Sequence, residues 1–457
     1  MQKFDLAIIG GGPGGYVAAE RAGAAGLATV LFEKKSLGGV CLNEGCIPTK
    51  TLLYSAKVYN YAMQGEHYGV YGTGGAELKY AEVVARKDKV VKKLVGGVRA
   101  AMKANKVTVV NAEAYVDGRG PEGIVISAAG EKYAVKDLLV CTGSEAAVPP
   151  IPGLREAGDV VVTNREILSL TEQPKELVVI GGGVIGMEFA AFYNTIGTKV
   201  TVVEMLPKIL GPLDDEISGN LQKIYAKRGI EFCLGCKVVG IEGNEVVYED
   251  PKGQTCRVAG DKILVSVGRR SNVKGLGLEN LGVETGRGIP ADDRMRTNVP
   301  GVWVAGDVVA GTPMLAHVAS REGEVAVNNI LGRRDHMRYD AVPSVVYTNP
   351  EVAGVGLTEE QVKASGREYG VARLPMTYAG RYIAENENTD PSLCKVIYGA
   401  RYHEVLGVHM LGNPSSEMIS GMCLAIETEM TIEQLKEIIF PHPTVSEIIK
   451  ETAFTVK

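Results

Sequence analysis

The sequence lacks an excess of positive charge, a long apolar run and a complete zinc motif. Its 457 residues include 49 Lys and Arg against 54 Asp and Glu, a net charge of −5, which argues against nucleic acid or an anionic membrane as partner. The N-terminal run MQKFDLAIIGGGPGG is too short to span a membrane and has glycines where a signal peptide needs its cleavage site. We therefore predict a first β-strand and a cytoplasmic protein. Cys233 and Cys236 form a C-x-x-C without a second such pair or a histidine pair, so we predict a structural role for them and no metal site.

The sequence does contain another cysteine pair, Cys41 and Cys46, in the Gly-rich segment GGVCLNEGCIPTK. The spacing corresponds to about one and a half helical turns, or less if the intervening residues bend, so a disulfide is sterically plausible. Pro48 suits a first helical turn, and a helix N-terminus together with Lys50 would stabilise a thiolate. A structural or accidental pair is the alternative. The context favours a redox-active dithiol, with the remaining cysteines mostly reduced.

A glycine fingerprint for dinucleotide binding occurs twice, each time between an apolar run and a second apolar run that ends in glutamate. The first glycine allows a tight turn, the second admits a pyrophosphate, the third lets helix and strand meet, and the carboxylate accepts from ribose hydroxyls. The two sets are Gly10, Gly12, Gly15 and Glu33, and Gly181, Gly183, Gly186 and Glu204. Because every member recurs at the same offset, we predict two dinucleotide sites rather than loop glycines.

The two sites and the dithiol together predict an electron relay. A dinucleotide hydride carrier and a thiol pair rarely exchange electrons without a flavin between them, so we predict FAD in the first site. In the second site Glu204 would repel a 2′-phosphate, and Met205 and Leu206 after it supply no arginine clamp. NAD is therefore favoured over NADP, and Lys208 is the one nearby residue that argues the other way.

Turn-rich and apolar segments indicate three domains. The Pro- and Gly-rich stretch AAVPPIPG marks a crossing between modules, and the apolar runs LLVCTGS and ILVSVGRR close two similar units. The predicted fold class is α/β, with two Rossmann-like dinucleotide-binding domains and a C-terminal mixed α/β dimerisation domain. We place the FAD-binding domain at residues 1–149 and 271–338, the NAD-binding domain at 150–270, and the interface domain at 339–457.

In the interface domain, apolar runs over residues 341–358 and 394–412 predict antiparallel strands, and SEMISGMCLAIE and TIEQLKEIIF predict helices. The C-terminal PHPTVSEIIK places His442 between two prolines, with Glu447 five residues on. A histidine held by a carboxylate is a positioned general base, and a cis peptide could aim it; a solvated or core histidine is the alternative. Asp307, at the end of GVWVAGD, could accept from the ribityl chain of a flavin or be a turn residue.

These motifs resemble, in the same order and over essentially the whole chain, those of the flavin-dependent pyridine nucleotide disulfide oxidoreductases. The strongest are GGVCLNEGCIPTK, GGGVIGMEFA, VWVAGD followed by MLAHVASREG, YTNPEVAGVG and HPTVSE. Within the family, the chain is most similar to the members that oxidise dihydrolipoamide with NAD. It departs from the family at Val40, Glu44, Ser271 and residues 380–387, which bear on the choice of partner and the lining of the substrate channel.

The resemblance implies a role for each residue of the site. Cys46 would lie next to FAD as the charge-transfer thiolate, Cys41 would exchange with substrate, and Lys50 would pair with Glu188. His442 and Glu447 would come from the other subunit of an obligate homodimer. The expected FAD contacts are Gly10, Gly12, Gly15, Glu33, Gly39, Lys50, Ala114, Thr142, Gly143, Ser144, Asp307, Met314, Leu315, Ala316 and His317. The expected NAD contacts are Gly181, Gly183, Val184, Ile185, Gly186, Glu188, Glu204, Val238 and Gly268.

The expected partner is a lipoyl-bearing protein of a 2-oxoacid dehydrogenase or glycine cleavage type system, because this chain has no lipoyl domain before its first fingerprint. Three alternatives stay open. A glutathione-type reductase would use NADPH, a mercuric reductase would need a further C-terminal cysteine pair, and a redox-inert FAD/NAD scaffold would not need the cysteines. The joint presence of Cys41, Cys46, His442 and Glu447 argues against the last of these.

Overall fold

The computed structural model describes residues 1–386 and 390–457, so residue 387, the last of the divergent stretch 380–387, lies outside the described residues. The strands are β1 (Gln2–Ile9), β2 (Thr29–Phe32), β3 (Thr108–Val110), β4 (Ala114–Gly120), β5 (Gly123–Ala128), β6 (Glu131–Val140), β7 (Ser144–Ala146), β8 (Val161–Val162), β9 (Glu176–Ile180), β10 (Lys199–Glu204), β11 (Glu231–Leu234), β12 (Lys237–Glu242), β13 (Glu245–Glu249), β14 (Thr255–Ala259), β15 (Lys262–Val265), β16 (Arg269–Ser271), β17 (Val302–Val304), β18 (Ser344–Val346), β19 (Val352–Gly356), β20 (Tyr369–Leu374), β21 (Leu393–Gly399) and β22 (Val405–Leu411).

The α-helices are α1 (Pro13–Ala24), α2 (Gly39–Glu44), α3 (Cys46–Met63), α4 (Tyr80–Ala104), α5 (Val184–Thr195), α6 (Asp215–Lys227), α7 (Ala316–Ile330), α8 (Glu359–Ser365), α9 (Gly380–Glu385), α10 (Ser415–Glu427), α11 (Ile432–Glu437) and α12 (Glu447–Phe454). Short 3₁₀ helices occupy Gly65–Tyr68, Gly158–Val160, Ile167–Ser169, Leu278–Leu281 and Met376–Tyr378. In the part of the chain that the structure describes, no helix is both long and apolar enough to cross a bilayer.

One compact unit comprises Met1–Thr51, Val84–Ala147 and Gly268–Arg338. Its sheet has the order β3-β2-β1-β6-β5-β4, and β17 also pairs with β6. Strands β3, β2, β1, β6 and β17 run parallel, whereas β4, β5 and β6 are antiparallel. The C-terminal half of β1 is fully buried, as expected for a central parallel strand with both faces covered.

The second compact unit comprises Leu52–Val83, Val148–Val267 and Tyr339–Lys457. It contains a parallel sheet in the order β11-β10-β9-β15-β8 and a separate antiparallel sheet, β12-β13-β14. Its third sheet, β18-β19-β22-β21-β20, is antiparallel throughout. Every residue of β22 is buried, because α10 packs on β19 and β22 and α12 on β20 and β21. The predicted α/β fold class is therefore confirmed.

The antiparallel strands and both helices predicted after residue 341 are confirmed. Helix α11 ends at Glu437, earlier than the apolar pattern indicates, because Ile438 turns to an extended conformation with ψ of 135°. The predicted domain limits stay a prediction. The compact units change beside those limits, after Ala147, Val267 and Arg338.

A buried ion cluster lies within the second unit. Lys395 is 1% exposed, and its Nζ donates to both carboxylate oxygens of Asp214, at 3.1 and 2.8 Å. Nζ also lies 2.7 Å from Glu359. Burial alone would raise the pKa of Asp214, but the hydrogen bond from Lys395 and nearby positive charge hold that pKa below its usual value. Asp214 also caps α6 by accepting from the backbone N–H groups of Glu216 and Ile217.

Candidate active site

The first glycine fingerprint forms the sharp turn between β1 and α1. Gly10 has φ of +106°, and a Cβ placed on it would lie 2.2 Å from the carbonyl oxygen of Cys141. A Cβ on Gly15 would lie 1.8 Å from the carbonyl oxygen of Gly10. Gly12 caps the start of α1, and the nearest described atom to a Cβ there is Gly39 Cα, at 3.9 Å. The turn and the helix contact require glycine at Gly10 and Gly15, and the backbone at Gly12 is left open to a ligand.

The second fingerprint repeats this geometry between β9 and α5. Gly181 has φ of +104°, and its Cβ would lie 2.5 Å from the carbonyl oxygen of Ser266. A Cβ on Gly186 would lie 2.1 Å from the carbonyl oxygen of Gly181. No described atom lies within 4 Å of a Cβ placed on Gly183, which precedes Val184 and Ile185 in the first turn of α5. Two open helix N-termini of the same construction fit two dinucleotides.

Hydrogen bonds from backbone N–H groups orient Glu33 and Glu204 toward these turns. Glu33 accepts from the N–H groups of Gly11, at 2.8 Å, and Lys35, at 2.7 Å. Glu204 accepts in the same way from Gly182, at 2.6 Å, and Leu206, at 2.7 Å. Carboxylate oxygens accept more than one hydrogen bond, so each keeps capacity for a ribose hydroxyl.

Lys208, the residue that argued for NADP, is occupied elsewhere. Its ammonium group pairs with Asp215 and donates to the carbonyl oxygen of Leu213 at 2.7 Å. The cation is thus neutralised locally, which strengthens the preference for NAD.

The cysteine motif adopts the bent form of the two geometries that the sequence allowed. Cys41 lies in α2 and Cys46 begins α3, and Gly45 between them has φ of −147° and ψ of −107°. Gly38 and Gly39 both have positive φ, and a Cβ on Gly39 would lie 2.6 Å from Gly12 Cα. The redox motif therefore packs directly on the first fingerprint.

The environment distinguishes the two half-buried thiols. A hydrogen bond to Cys46 and then burial raise the pKa of the Cys41 thiol, while the charge of Lys50 opposes the rise. This direction keeps the proton on Cys41. The N-terminus of α3, where Cys46 lies, is a position that favours negative charge. Tyr16 was not predicted from the sequence: burial, and next its electrostatic interaction with the cysteine pair, raise its pKa. Its position directly after Gly15 was the available signal.

Asp307 is held at the end of β17 by a hydrogen-bonded network that the sequence did not predict. The Ser144 hydroxyl donates to Asp307 Oδ2 at 2.5 Å, and Arg269 Nε donates to the same hydroxyl oxygen at 2.7 Å. Ser271, one of the expected departures from the family, donates to the Asp307 carbonyl oxygen at 2.7 Å. Ser271 thus helps to fix the backbone at Asp307.

The remaining predicted cofactor residues lie at strand ends, turns and helix starts. Ala114 is the buried first residue of β4, Thr142 and Gly143 link β6 to β7, Met314 and Leu315 precede α7, Ala316 and His317 begin α7, Val238 lies in β12, and Gly268 precedes β16. As contacts to FAD and NAD these residues stay predictions.

His442 and Glu447 are brought together. His442 Nδ1 lies 2.9 Å from Glu447 Oε1, and the imidazole is 81% exposed. The backbone N–H of Thr444 and then His442 lower the pKa of Glu447, so the carboxylate stays ionised beside the imidazole. The His442–Pro443 peptide is cis, as the sequence suggested.

The predicted pair of Lys50 and Glu188 stays a prediction. Lys50 lies half-buried in the first turns of α3. Glu188 is 3% exposed in α5 and accepts from the backbone N–H of Tyr347 at 3.0 Å. Within residues 1–386 and 390–457, no group of three or more His, Cys, Asp or Glu is arranged to hold a metal ion.

The family match defines the class of protein. Residues 4–323 match the pyridine nucleotide-disulphide oxidoreductase family, and residues 342–453 match its dimerisation domain. The chain belongs to this family and is an oxidoreductase. The cofactors of the family are FAD and NAD, and the dimerisation domain supports a homodimer.

Particular relatives cover nearly the whole chain. Dihydrolipoyl dehydrogenase 3 of Pseudomonas putida is 41% identical over 467 residues, covering 100% of this chain and 98% of that protein. The mitochondrial dihydrolipoyl dehydrogenase of Pisum sativum is 40% identical over 466 residues, covering 98% of this chain and 90% of that protein.

Solved structures agree in fold. The HOCl-induced flavoprotein disulfide reductase RclA of Escherichia coli, solved as a Cu(II) complex, has a TM-score of 0.88 and 27% identity over 100% of both chains. LpdA of Mycobacterium tuberculosis has a TM-score of 0.90 at 24% identity over 100% of both chains, and shows likeness of fold alone.

Proposed function

We propose that this enzyme oxidises dihydrolipoyl groups to the cyclic disulfide and reduces NAD to NADH. The observation that carries the proposal is the hydrogen-bonded Cys41–Cys46 pair, which packs through Gly39 on the first fingerprint. The same chain has a second, NAD-type fingerprint. Relatives named dihydrolipoyl dehydrogenase at 41% and 40% identity support the substrate.

The residues present fit both cofactors. Gly10, Gly12, Gly15, Glu33 and Asp307 would hold FAD, and the second fingerprint with Glu204 would hold NAD. When bound, FAD would supply two-electron redox chemistry for the thiols, and NAD would supply a hydride acceptor.

His442 is the proposed base. When its Nδ1 carries the proton that is donated to Glu447, Nε2 is left as an acceptor for the proton of a dihydrolipoyl thiol. The lowered pKa of Glu447 supports this tautomer, because an ionised carboxylate also stabilises the imidazolium that forms. The high exposure of His442 supports the prediction that it serves the dithiol of a second copy of the chain.

The thiol chemistry then balances. The dihydrolipoyl thiolate attacks Sγ of Cys41, the Cys41–Cys46 disulfide breaks, and the electron pair passes to Sγ of Cys46. The second lipoyl thiol displaces Cys41 from the mixed disulfide, which closes the lipoyl ring. Cys41 leaves protonated, as its raised pKa favours, because it takes the proton that His442 holds. His442 then takes the proton of the second lipoyl thiol, and the electron pair stays on Cys46.

The proposed partners are a second copy of this chain and a lipoyl-bearing protein of a 2-oxoacid dehydrogenase or glycine cleavage type system. Because the reaction consumes NAD and begins from thiols, we propose the cytoplasm as its location.

The test is to follow NADH formation by the purified holoenzyme with dihydrolipoamide and NAD. NADP is the control for cofactor choice, and glutathione disulfide with NADPH is the control for a reductase of the opposite direction. We expect turnover with dihydrolipoamide and NAD, and none with NADP or with glutathione disulfide and NADPH. Turnover only with glutathione disulfide and NADPH, or none with either pair, would refute the proposal.

A further inference from the structure

Helix α4 has a charge opposite to that of the chain as a whole. Its 25 residues include seven Lys and Arg and two acidic side chains, whereas the whole chain has a net charge of −5. Lys87 is buried, and its ammonium group lies 2.6 Å from Asp88. The remaining lysines of the helix are exposed.

These exposed lysines share one side of the helix. Residues three, four and seven apart lie on one face, which groups Lys89, Lys92, Lys93, Gly96 and Lys103; we term this set the α4 cationic face. Within residues 1–386 and 390–457, none of the four lysines has an ion-pair partner, and no described atom lies within 4 Å of a Cβ placed on Gly96. The face is cationic and sterically open.

The α4 cationic face begins close to the redox motif. Arg86, one turn before Lys89, donates from Nη1 to the carbonyl oxygen of Thr51 at 3.2 Å. Thr51 lies five residues after Cys46 in α3. At about 1.5 Å of rise per residue, Lys89 and Lys93 lie only about 5 to 10 Å along α4 from that contact.

A second copy of the chain does not suit this surface. The dimerisation domain matches residues 342–453, and large exposed apolar side chains occur there, including Leu424 at 62% and Ile439 at 91% exposure. An isologous contact through the α4 cationic face would bring like charges together. A surface of opposite charge on a different protein fits it instead.

We propose that the α4 cationic face docks the acidic surface of the lipoyl-bearing protein domain whose dihydrolipoyl arm reaches Cys41. The inference rests on the proposed function, and it names the surface that recognises the protein carrying the substrate. Opposite charge accelerates encounter and orients the partner, and both effects weaken as salt increases. Free dihydrolipoamide has no such domain and does not need the face.

The test compares two substrates in the dimeric holoenzyme. The variant reverses three charges, with Lys89→Glu, Lys92→Glu and Lys93→Glu. The matched control reverses three exposed lysines outside α4, with Lys227→Glu, Lys237→Glu and Lys252→Glu. The substrates are an acidic reduced lipoyl domain from a 2-oxoacid dehydrogenase complex and free dihydrolipoamide.

At low ionic strength, kcat/KM of the α4 variant for the lipoyl domain should fall about tenfold or more, with a flatter salt dependence. Its kcat/KM for free dihydrolipoamide should stay within about twofold, and the control variant should match the wild type on both substrates. The variant with Lys89→Gln, Lys92→Gln and Lys93→Gln should show an intermediate loss of kcat/KM for the lipoyl domain. This neutral variant replaces the charge-reversal variant in the test if charge reversal impairs folding.

Unchanged kinetics with the lipoyl domain would overturn the inference, while wild-type turnover of dihydrolipoamide would leave the proposed function standing. Dissociation of the variant dimer in light scattering would overturn it in favour of a contact between copies. An equal loss with free dihydrolipoamide would also overturn it. If the wild type turned over neither substrate, the proposed function itself would fail.

Discussion

Replacing Gly186 with alanine should disable the NAD site while leaving the thiol chemistry intact. The new Cβ would lie 2.1 Å from the carbonyl oxygen of Gly181, and a Cβ closer than 3.0 Å to another atom is essentially never observed. The start of α5 must therefore move about 0.9 Å away from the turn, the difference between those two distances. A displacement of about 1 Å in a positioning element costs about a hundredfold in rate, so kcat/KM for NAD should fall by about that factor.

Two half-reactions separate this effect from general damage. Flavin bleaching by dihydrolipoamide without NAD reports the dithiol, and NADH formation reports the second site. For Gly186→Ala, the FAD content and the flavin-bleaching rate should stay within about twofold of the wild type. Gly15→Ala, whose Cβ would lie 1.8 Å from the Gly10 carbonyl oxygen, should instead give protein that has lost FAD.

Gly183→Ala is the matched control for the fold. No described atom lies within 4 Å of the added Cβ, so the melting temperature should not change, and a higher KM for NAD would report contact with the dinucleotide itself. Full NAD turnover by Gly186→Ala would refute the assignment of the second fingerprint. Equal loss of both half-reactions would show that the two sites are not independent.

Three further predictions concern the dithiol, the base and the buried ion cluster. Cys41→Ser should abolish turnover and keep the long-wavelength charge-transfer absorbance from Cys46; loss of the band with activity intact would reverse the roles of the two cysteines. His442→Gln should lower kcat by about two to four orders of magnitude in steady-state assays, and a near-normal rate would exclude it as the base. Lys395→Met should lower the free energy of unfolding at pH 7 by about 3–5 kcal/mol, because Asp214 is left buried and unpaired. The wild type keeps this stabilisation above the usual carboxyl pKa of about 4 and loses it as pH falls through the lower folded pKa of Asp214. The difference in the free energy of unfolding between the wild type and Lys395→Met, measured by urea unfolding, should therefore narrow below about pH 4. Equal free energies of unfolding at pH 7 would contradict the stabilising role of the Lys395–Asp214 pair.

The sequence predicts both nucleotide-binding turns because their requirement is local. Gly10 and Gly181 have φ of +106° and +104°, and a tight turn that presents a helix N-terminus needs glycine wherever it occurs. The strand, turn and helix of each unit lie within about thirty residues. Local patterns of apolar residues and glycines were therefore sufficient.

The contacts that span long sequence separations were not predictable in this way. Arg269 reaches Ser144, and Lys395 reaches Asp214, and no residue near either partner signals the other. The bend at Gly45 was one of two geometries open to the cysteine motif, because a helix and a bend both satisfy a spacing of five residues. Tertiary packing decides such cases.

The short antiparallel pairing of β7 with β16 has a consequence for how this enzyme could be rebuilt. Ser144 faces Ser271 and Ala146 faces Arg269, so the chain departs from the first unit and returns to it at adjacent points. The segment between them therefore has neighbouring ends, a geometry that tolerates exchange of the segment. Within the second unit this segment is also bonded to the C-terminal segment, by Lys395 to Asp214 and by Tyr347 to Glu188. A nucleotide module of different specificity that kept those contacts could be grafted across that ladder without redesign of the half that carries the cysteines. Mutations within this segment could therefore change the preference for one pyridine nucleotide without altering the residues that carry out the thiol chemistry.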